Sequence, residues 1–180
     1  MSVSTKFGIA LAALVLSTAA SGHGNNEGKS KDKAARVMEE TAFGRPGERR
    51  KVNRTIQVTM HDEMRFLANG PGVNRAGGRG GSDDITVREG DTIRFAVANK
   101  GKVMHEMVIG TLAELKEHAE LMRKHPGMEH DEPYMAHVAP GKKADIVWQF
   151  TKPGDFHYGC LVAGHFEAGM VGRITVTKRK

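Results

Sequence analysis

Residues 153–170 read Pro153-Gly154-Asp155-Phe156-His157-Tyr158-Gly159-Cys160-Leu161-Val162-Ala163-Gly164-His165-Phe166-Glu167-Ala168-Gly169-Met170. A strand ending at Gly159 delivers Cys160. A loop then turns back through Gly164 and Gly169, and a second strand leaves from Val171. Glycine reaches positive φ without a Cβ clash, so these two positions suit the reversals that would aim His165 and Met170 at one point. Reduced to its donor atoms the stretch is Cys160-x4-His165-x4-Met170: a thiolate, an imidazole and a thioether, which together make a soft metal-binding set.

Working outward, the flanking sequence has a period of two. Ile56, Val58 and Met60 alternate with Thr55, Gln57 and Thr59; Ile85 and Val87 with Thr86 and Arg88. Ile93, Phe95 and Val97 share a face, as do Ile146, Trp148 and Phe150, and Ile174 and Val176. Such alternation marks half-buried strands. Glu89-Gly90-Asp91, Asn99-Lys100-Gly101, Pro140-Gly141 and Pro153-Gly154 separate them as turns. Two insertions interrupt the rhythm. The Gly-rich stretch 69–82 reads as a long loop. Residues 111–124 read as a helix, with Thr111 as N-cap and Glu114 completing a capping box. Leu112, Leu115, Ala119 and Met122 fall at helical spacing, and Pro126-Gly127 ends it. The expected fold is all-β: an antiparallel Greek-key β-sandwich over 52–180 with one helical, His/Met-rich excursion over 111–137.

The N-terminal third reads differently. Lys6 precedes an uncharged run, Phe7–Ala20, followed by Ala19-Ala20-Ser21-Gly22, the layout of a secretory signal peptide over 1–22. The run is shorter than the ~20 residues of a membrane-spanning helix, so no membrane anchor is expected after cleavage. Residues 23–51 are rich in Gly, Asn, Lys, Glu and Arg and are expected to form a flexible arm. The chain is therefore expected in a bacterial periplasm. In an oxidising compartment a single Cys among 180 residues must be buried, ligated or used. It also excludes an intramolecular disulfide and a Cys₄ zinc or iron–sulfur site. The formal charge of +6, from 27 Lys and Arg against 21 Asp and Glu, is spread along the chain. With few Tyr or Trp to stack on bases, it points to no nucleic-acid partner.

One more imidazole would complete a His₂Cys set with a weak axial Met, the ligands of a type 1 copper centre. His105, which follows the turn at 99–102 and opens the apolar stretch Met107-Val108-Ile109, is the best-placed candidate. With this residue the sequence resembles the cupredoxins, small proteins of the blue-copper type. The Pro-Gly-x-aromatic-x-aromatic-x-Cys approach and the Gly-His-x4-Met exit carry the resemblance. The spacers are similar to those of rusticyanin- and auracyanin-like members, and the flanks to periplasmic copper-tolerance cupredoxins. The resemblance implies one copper ion, with Cys160 dominating its electronic character, His105 and His165 completing the plane, and Met170 axial. Two departures bear on the surrounding hydrogen bonds: Glu106 follows the first His, where many cupredoxins have a small amide or hydroxyl residue, and Ala163 replaces a frequent Pro.

Further His and Met residues lie in or near the excursion: His118, Met122, His125, Met128, His130, Met135 and His137. They read either as an accessory copper-binding surface or as a solvated helix with Met on its apolar face. Met60, His61 and Met64 form a smaller group with the same two readings. Two functions use the four main ligands: single-electron transfer, and copper tolerance by buffering or delivery. A redox or copper-handling partner is expected to dock near the His165 edge, ringed by Leu161, Val162, Ala163 and Phe166. A copper oxidase or nitrite reductase would need further copper centres that one such domain does not show, so the chain is not expected to be an enzyme.

Overall fold

A computed structural model describes residues 40–75, 81–126 and 131–180. The signal-like segment, most of the expected arm, Met128 and His130 lie outside them. The strands are β1 (Arg45–Pro46), β2 (Arg54–His61), β3 (Arg65–Asn69), β4 (Val73–Asn74), β5 (Asp84–Arg88), β6 (Thr92–Asn99), β7 (His105–Gly110), β8 (Met135–Val138), β9 (Lys143–Gln149), β10 (Gly154–Gly159) and β11 (Val171–Thr177). Helix α1 (Leu112–Lys124) lies between β7 and β8. One sheet has the order β1-β9-β6-β2-β3 and the other β4-β5-β11-β10-β7-β8.

The period-two pattern does what burial demands of it. Ile56, Val58, Phe95, Trp148, Ile174 and Val176 all point between the sheets and are buried, as are Ile85 and Val87. Their polar neighbours along each strand face outward. The sandwich is thus the expected one, but it is mixed rather than purely antiparallel. β2 runs parallel to β6, with Ile56 opposite Phe95, and β5 runs parallel to β11, with Ile85 opposite Ile174. Alternation reports which face a residue takes and is silent on strand direction.

Three boundaries differ from the sequence expectation. Residues 40–51, expected as the end of the arm, are held on the sandwich. Phe43 is buried, stacks on Trp148 with ring centroids 5.3 Å apart, and meets Tyr134 edge-on at 5.4 Å. Its carbonyl accepts the Trp148 indole N–H at 3.1 Å, and β1 pairs with β9. An aromatic anchor, its indole partner and the β1–β9 pairing together fasten a segment that is otherwise polar. The excursion also ends early: Met135–Val138 is strand β8, paired antiparallel with β7, with His105 opposite Val138. Finally, β3 was not marked by alternation alone. Its free edge is closed by Ser82 and Asp83, whose side chains accept the Phe66 and Ala68 N–H groups at 3.1 and 2.8 Å.

Helix α1 forms where expected. Thr111 Oγ1 accepts from Glu114 N at 3.2 Å, and the Glu114 carboxylate accepts from Thr111 N at 2.8 Å. Leu115, Ala119 and Met122 are buried against Val108, Met135 and Leu161, forming a second apolar cluster; Leu112 is exposed. This cover explains β7, all of whose residues are buried. Met107 and Ile109 face the sandwich, and Val108 faces the helix.

Replacing Phe43 by Ala should cost ~3–5 kcal/mol in equilibrium denaturant unfolding, the usual loss for a buried Phe. A residue on a free arm would cost nothing measurable.

Candidate metal centre

Strand β10 is the middle of three neighbours. It pairs antiparallel with β7 on one side, where Gly159 lies opposite Val108, and with β11 on the other, where Gly159 lies opposite Val171. Cys160 therefore leaves the sheet between the start of β7 and the start of β11. His105 is the first residue of β7, and Met170 immediately precedes β11. Sheet pairing alone brings three residues, far apart in sequence, to one end of the sandwich.

The loop 160–170 is closed by its own backbone. Cys160 N donates to Met170 O and Met170 N to His165 O, both at 3.0 Å, and His165 N donates to Val162 O at 2.9 Å. Gly164 and Gly169 hold φ values of +86° and +91°, in the region where a side chain would be strained. The loop thus folds His165 back over Cys160.

His105, Cys160 and His165 converge. Cys160 Sγ lies 3.3 Å from His165 Nδ1 and 3.9 Å from His105 Nδ1, and the imidazole centroids are 4.9 Å apart. All three ligand atoms lie within 4.8 Å of one another. Donors separated in this way are those that a single ion about 2 Å from each can bridge. Met170 is fully buried in the same core cluster as Cys160. The donor set is one thiol sulfur, two imidazole nitrogens and a neighbouring thioether, which fits copper by softness and number. Cys160 and His105 are fully buried, and His165 is half-buried.

Burial pushes the Cys160 thiol up to about 12, and the nearby Glu106 carboxylate adds to the rise. The N–H groups of Glu106, 3.4 Å from the sulfur, and Val162 act in the other direction. The metal-free site is therefore a neutral thiol that needs a cation to become a thiolate. Burial, and then the adjacent His105, lower His165 below the usual histidine range, so it stands as a neutral imidazole at pH 7. Asp62 is held below the usual carboxylate range by the Lys102 N–H and then by His105.

Glu106 occupies the departure noted in the sequence. Its side chain is buried; one oxygen accepts from Leu161 N at 2.8 Å, and the other lies 2.9 Å from His137 Nδ1. It ties β7, the ligand loop and β8 together. Sequence reasoning singled out Glu106 but could not find its partner, because β8 had been read as part of the helical excursion.

Among the described residues, the members of the expected accessory group do not gather in the same way. Met122 and Met135 are core residues of the helix-side cluster, and His137 faces Glu106. His125 is exposed, and His118 is half-buried on the helix. Among the described residues, the grouping of three or more His, Cys, Asp or Glu ligand atoms is the one at Cys160. Of the smaller group, Met60 is buried in the core, His61 Nε2 lies 3.0 Å from Thr59 Oγ1, and Met64 packs against the core from the turn. Leu161 is also displaced from the expected rim around His165. It is fully buried under α1; Phe166 is half-buried against the same cluster, Val162 is half-buried against the sandwich core, and Ala163 is exposed. On the other flank Val103 and Met104 are 45% exposed.

Two face-to-face mixed sheets, with a Cys–His–Met loop joining adjacent strands beside a His from a third, define a cupredoxin. Solved cupredoxins share the fold. Auracyanin B superposes with a TM-score of 0.55 at 17% identity over 75% of this chain and 96% of its own. Auracyanin A from Chloroflexus aurantiacus, a "blue" copper protein, gives 0.51 at 18% identity over 68% and 98%. No family model matches the sequence. The copper-resistant cuproprotein CopI of Rubrivivax gelatinosus is 44% identical over 168 residues, 93% of each chain. The chain belongs to this family of copper-resistant cuproproteins.

In metal-free protein at pH 8, the Cys160 thiol should react with a disulfide reagent on the order of 10³-fold more slowly than free cysteine. That is the ratio of thiolate fractions for a thiol near 12 and one near 8.5. A stopped-flow time course measures it, and the rate should climb as pH rises toward the shifted value.

Proposed function

We propose that this chain binds one copper ion through His105, Cys160, His165 and Met170 and serves copper tolerance in the bacterial periplasm. The observation that carries the reading is the convergence of Cys160 Sγ and two imidazole Nδ1 atoms within 4.8 Å in a buried end of a cupredoxin sandwich. Bound copper would supply a one-electron Cu(I)/Cu(II) couple. The protein contributes the rest. The sheets hold Cys160 and His105 rigidly, the closed loop holds His165 and Met170, and burial excludes water from the sulfur. Such a site changes little between oxidation states, which suits single-electron exchange as well as storage.

Both functions read from the sequence use these ligands. Curated relatives named as copper-resistant cuproproteins favour tolerance, and the half-buried His165 edge favours electron exchange with a partner docking there. Either role is metal handling rather than catalysis. Periplasmic export rests on the signal-like segment 1–22. Among the described residues no helix is long and apolar enough to cross a membrane.

Copper titration of the full chain, followed by visible absorption and EPR, tests the reading. A strong thiolate-to-copper band should appear at one equivalent and vanish in Cys160→Ser. At pH 7 each copper bound should release one thiol proton to a weakly buffered indicator. A wild-type protein without the band would refute the site, and a deletion strain as copper-tolerant as its parent would refute the tolerance role.

A further inference from the structure

The turn joining β2 to β3 carries a carboxylate that faces the buried imidazole of His105 from the side opposite the sulfur. Asp62 Oδ1 lies 3.0 Å from His105 Nε2. The other carboxylate oxygen accepts from Lys102 N at 2.8 Å. The ring's second nitrogen, Nδ1, lies 3.9 Å from Cys160 Sγ. A neutral imidazole has one N–H, and an ionised carboxylate can only accept. The bond to Asp62 therefore places the proton on Nε2 and leaves the Nδ1 lone pair directed at the sulfur.

Two features outside the pair hold this contact. The turn before β7 must pass against Asp62: a Cβ built at Gly101 would overlap the Asp62 carboxylate. That turn is pinned by the buried Asn99, which accepts from Gly101 N at 2.8 Å and donates to Val103 O and Val138 O at 2.7 and 2.8 Å. On the Asp62 side, Met64 closes the turn at φ +55°, a left-handed conformation rare for a residue with a side chain. It donates from its N–H to His61 O at 3.1 Å and packs against the core. A non-glycine residue in this conformation, and a glycine where any side chain would collide, both serve to bring one carboxylate to one imidazole nitrogen.

We propose that Asp62 is a positioning residue for the copper ligand His105: it fixes the Nε2–H tautomer and, through the ring, favours the more highly charged oxidised ion over the reduced one. This rests on the copper-binding reading above, but its first test does not need the metal. Partners that orient a metal-bound imidazole are typically worth 10- to 100-fold in metal affinity. If Asp62→Asn weakens Cu(II) about tenfold more than Cu(I), the midpoint potential rises by about 59 mV, the one-electron value of a factor of ten.

The experiment has two readouts. In full-length metal-free protein with ¹⁵N-labelled histidine, at a pH where the ring is neutral, long-range ¹H–¹⁵N NMR should show His105 as the Nε2–H tautomer. In Asp62→Ala it should become a mixture. A wild-type Nδ1–H tautomer, or a tautomer unchanged in Asp62→Ala, overturns the positioning role. In copper-loaded protein, redox titration should give raised potentials for Asp62→Asn and for Gly101→Ala, which keeps the carboxylate but displaces it. Unchanged potentials in both overturn the electrostatic role. Should the wild type lack a Cys160-dependent copper band, the copper reading fails, while the tautomer result is still read on the metal-free protein. Should Asp62→Ala fail to fold, the wild-type tautomer and the conservative Asp62→Asn decide.

Discussion

Everything at the candidate centre depends on β10 being hydrogen-bonded on both edges. Because β7 and β11 are its neighbours, the residue that follows β10 emerges near the start of β7 and beside the residue before β11. Cys160 and Met170 occupy the exit of β10 and the entry of β11, and His105 opens β7 at the same end. Once the sheet is formed, the remaining requirement is local. Residues 160–170 must fold back far enough to set His165 beside Cys160, and two glycines at positive φ and five backbone hydrogen bonds within the loop accomplish it. The cost of assembling the ligands is thus met by the fold as a whole rather than by the metal.

The same assembly places acidic groups around a buried thiol. Glu106 sits on the sulfur side, engaged by Leu161 and His137, while Asp62 sits behind His105. In the metal-free protein the loss of water, and after it the Glu106 charge, keep the sulfur protonated. With a cation present, the same negative surroundings become favourable, since the local sign of the problem is inverted by the ion's own charge. Such a pocket discriminates between empty and filled states by electrostatics as well as by shape.

Much of this is legible in the sequence. Alternation identified β2, β5, β6, β9 and β11 because each buries one face, and the spacing of Cys160, His165 and Met170 exposed the loop because the chain's single Cys lies there, between a strand and two turn glycines. What stayed hidden has physical reasons. The parallel pairings of β2 with β6 and β5 with β11 leave no mark on alternation. Phe43 is one aromatic in a polar stretch, so its burial depends on Trp148 rather than on local pattern. Met135–Val138 is buried at three of four positions, owing to α1 on one side and the core on the other, and so lost its period. Asp62 is an ordinary turn aspartate in sequence; its proximity to His105 exists only once β2 and β7 are brought to the same end.

Helix α1 has a consequence for how the centre could be filled. By sealing Val108 and Leu161 from outside, it blocks the lateral wall of the pocket, while the opposing sheet blocks the inner one. What remains is the loop from Val162 to Gly169, which carries the half-buried His165 and is exposed along most of its length. Access to the sulfur is therefore governed by a few loop residues that lie apart from the packing between the sheets.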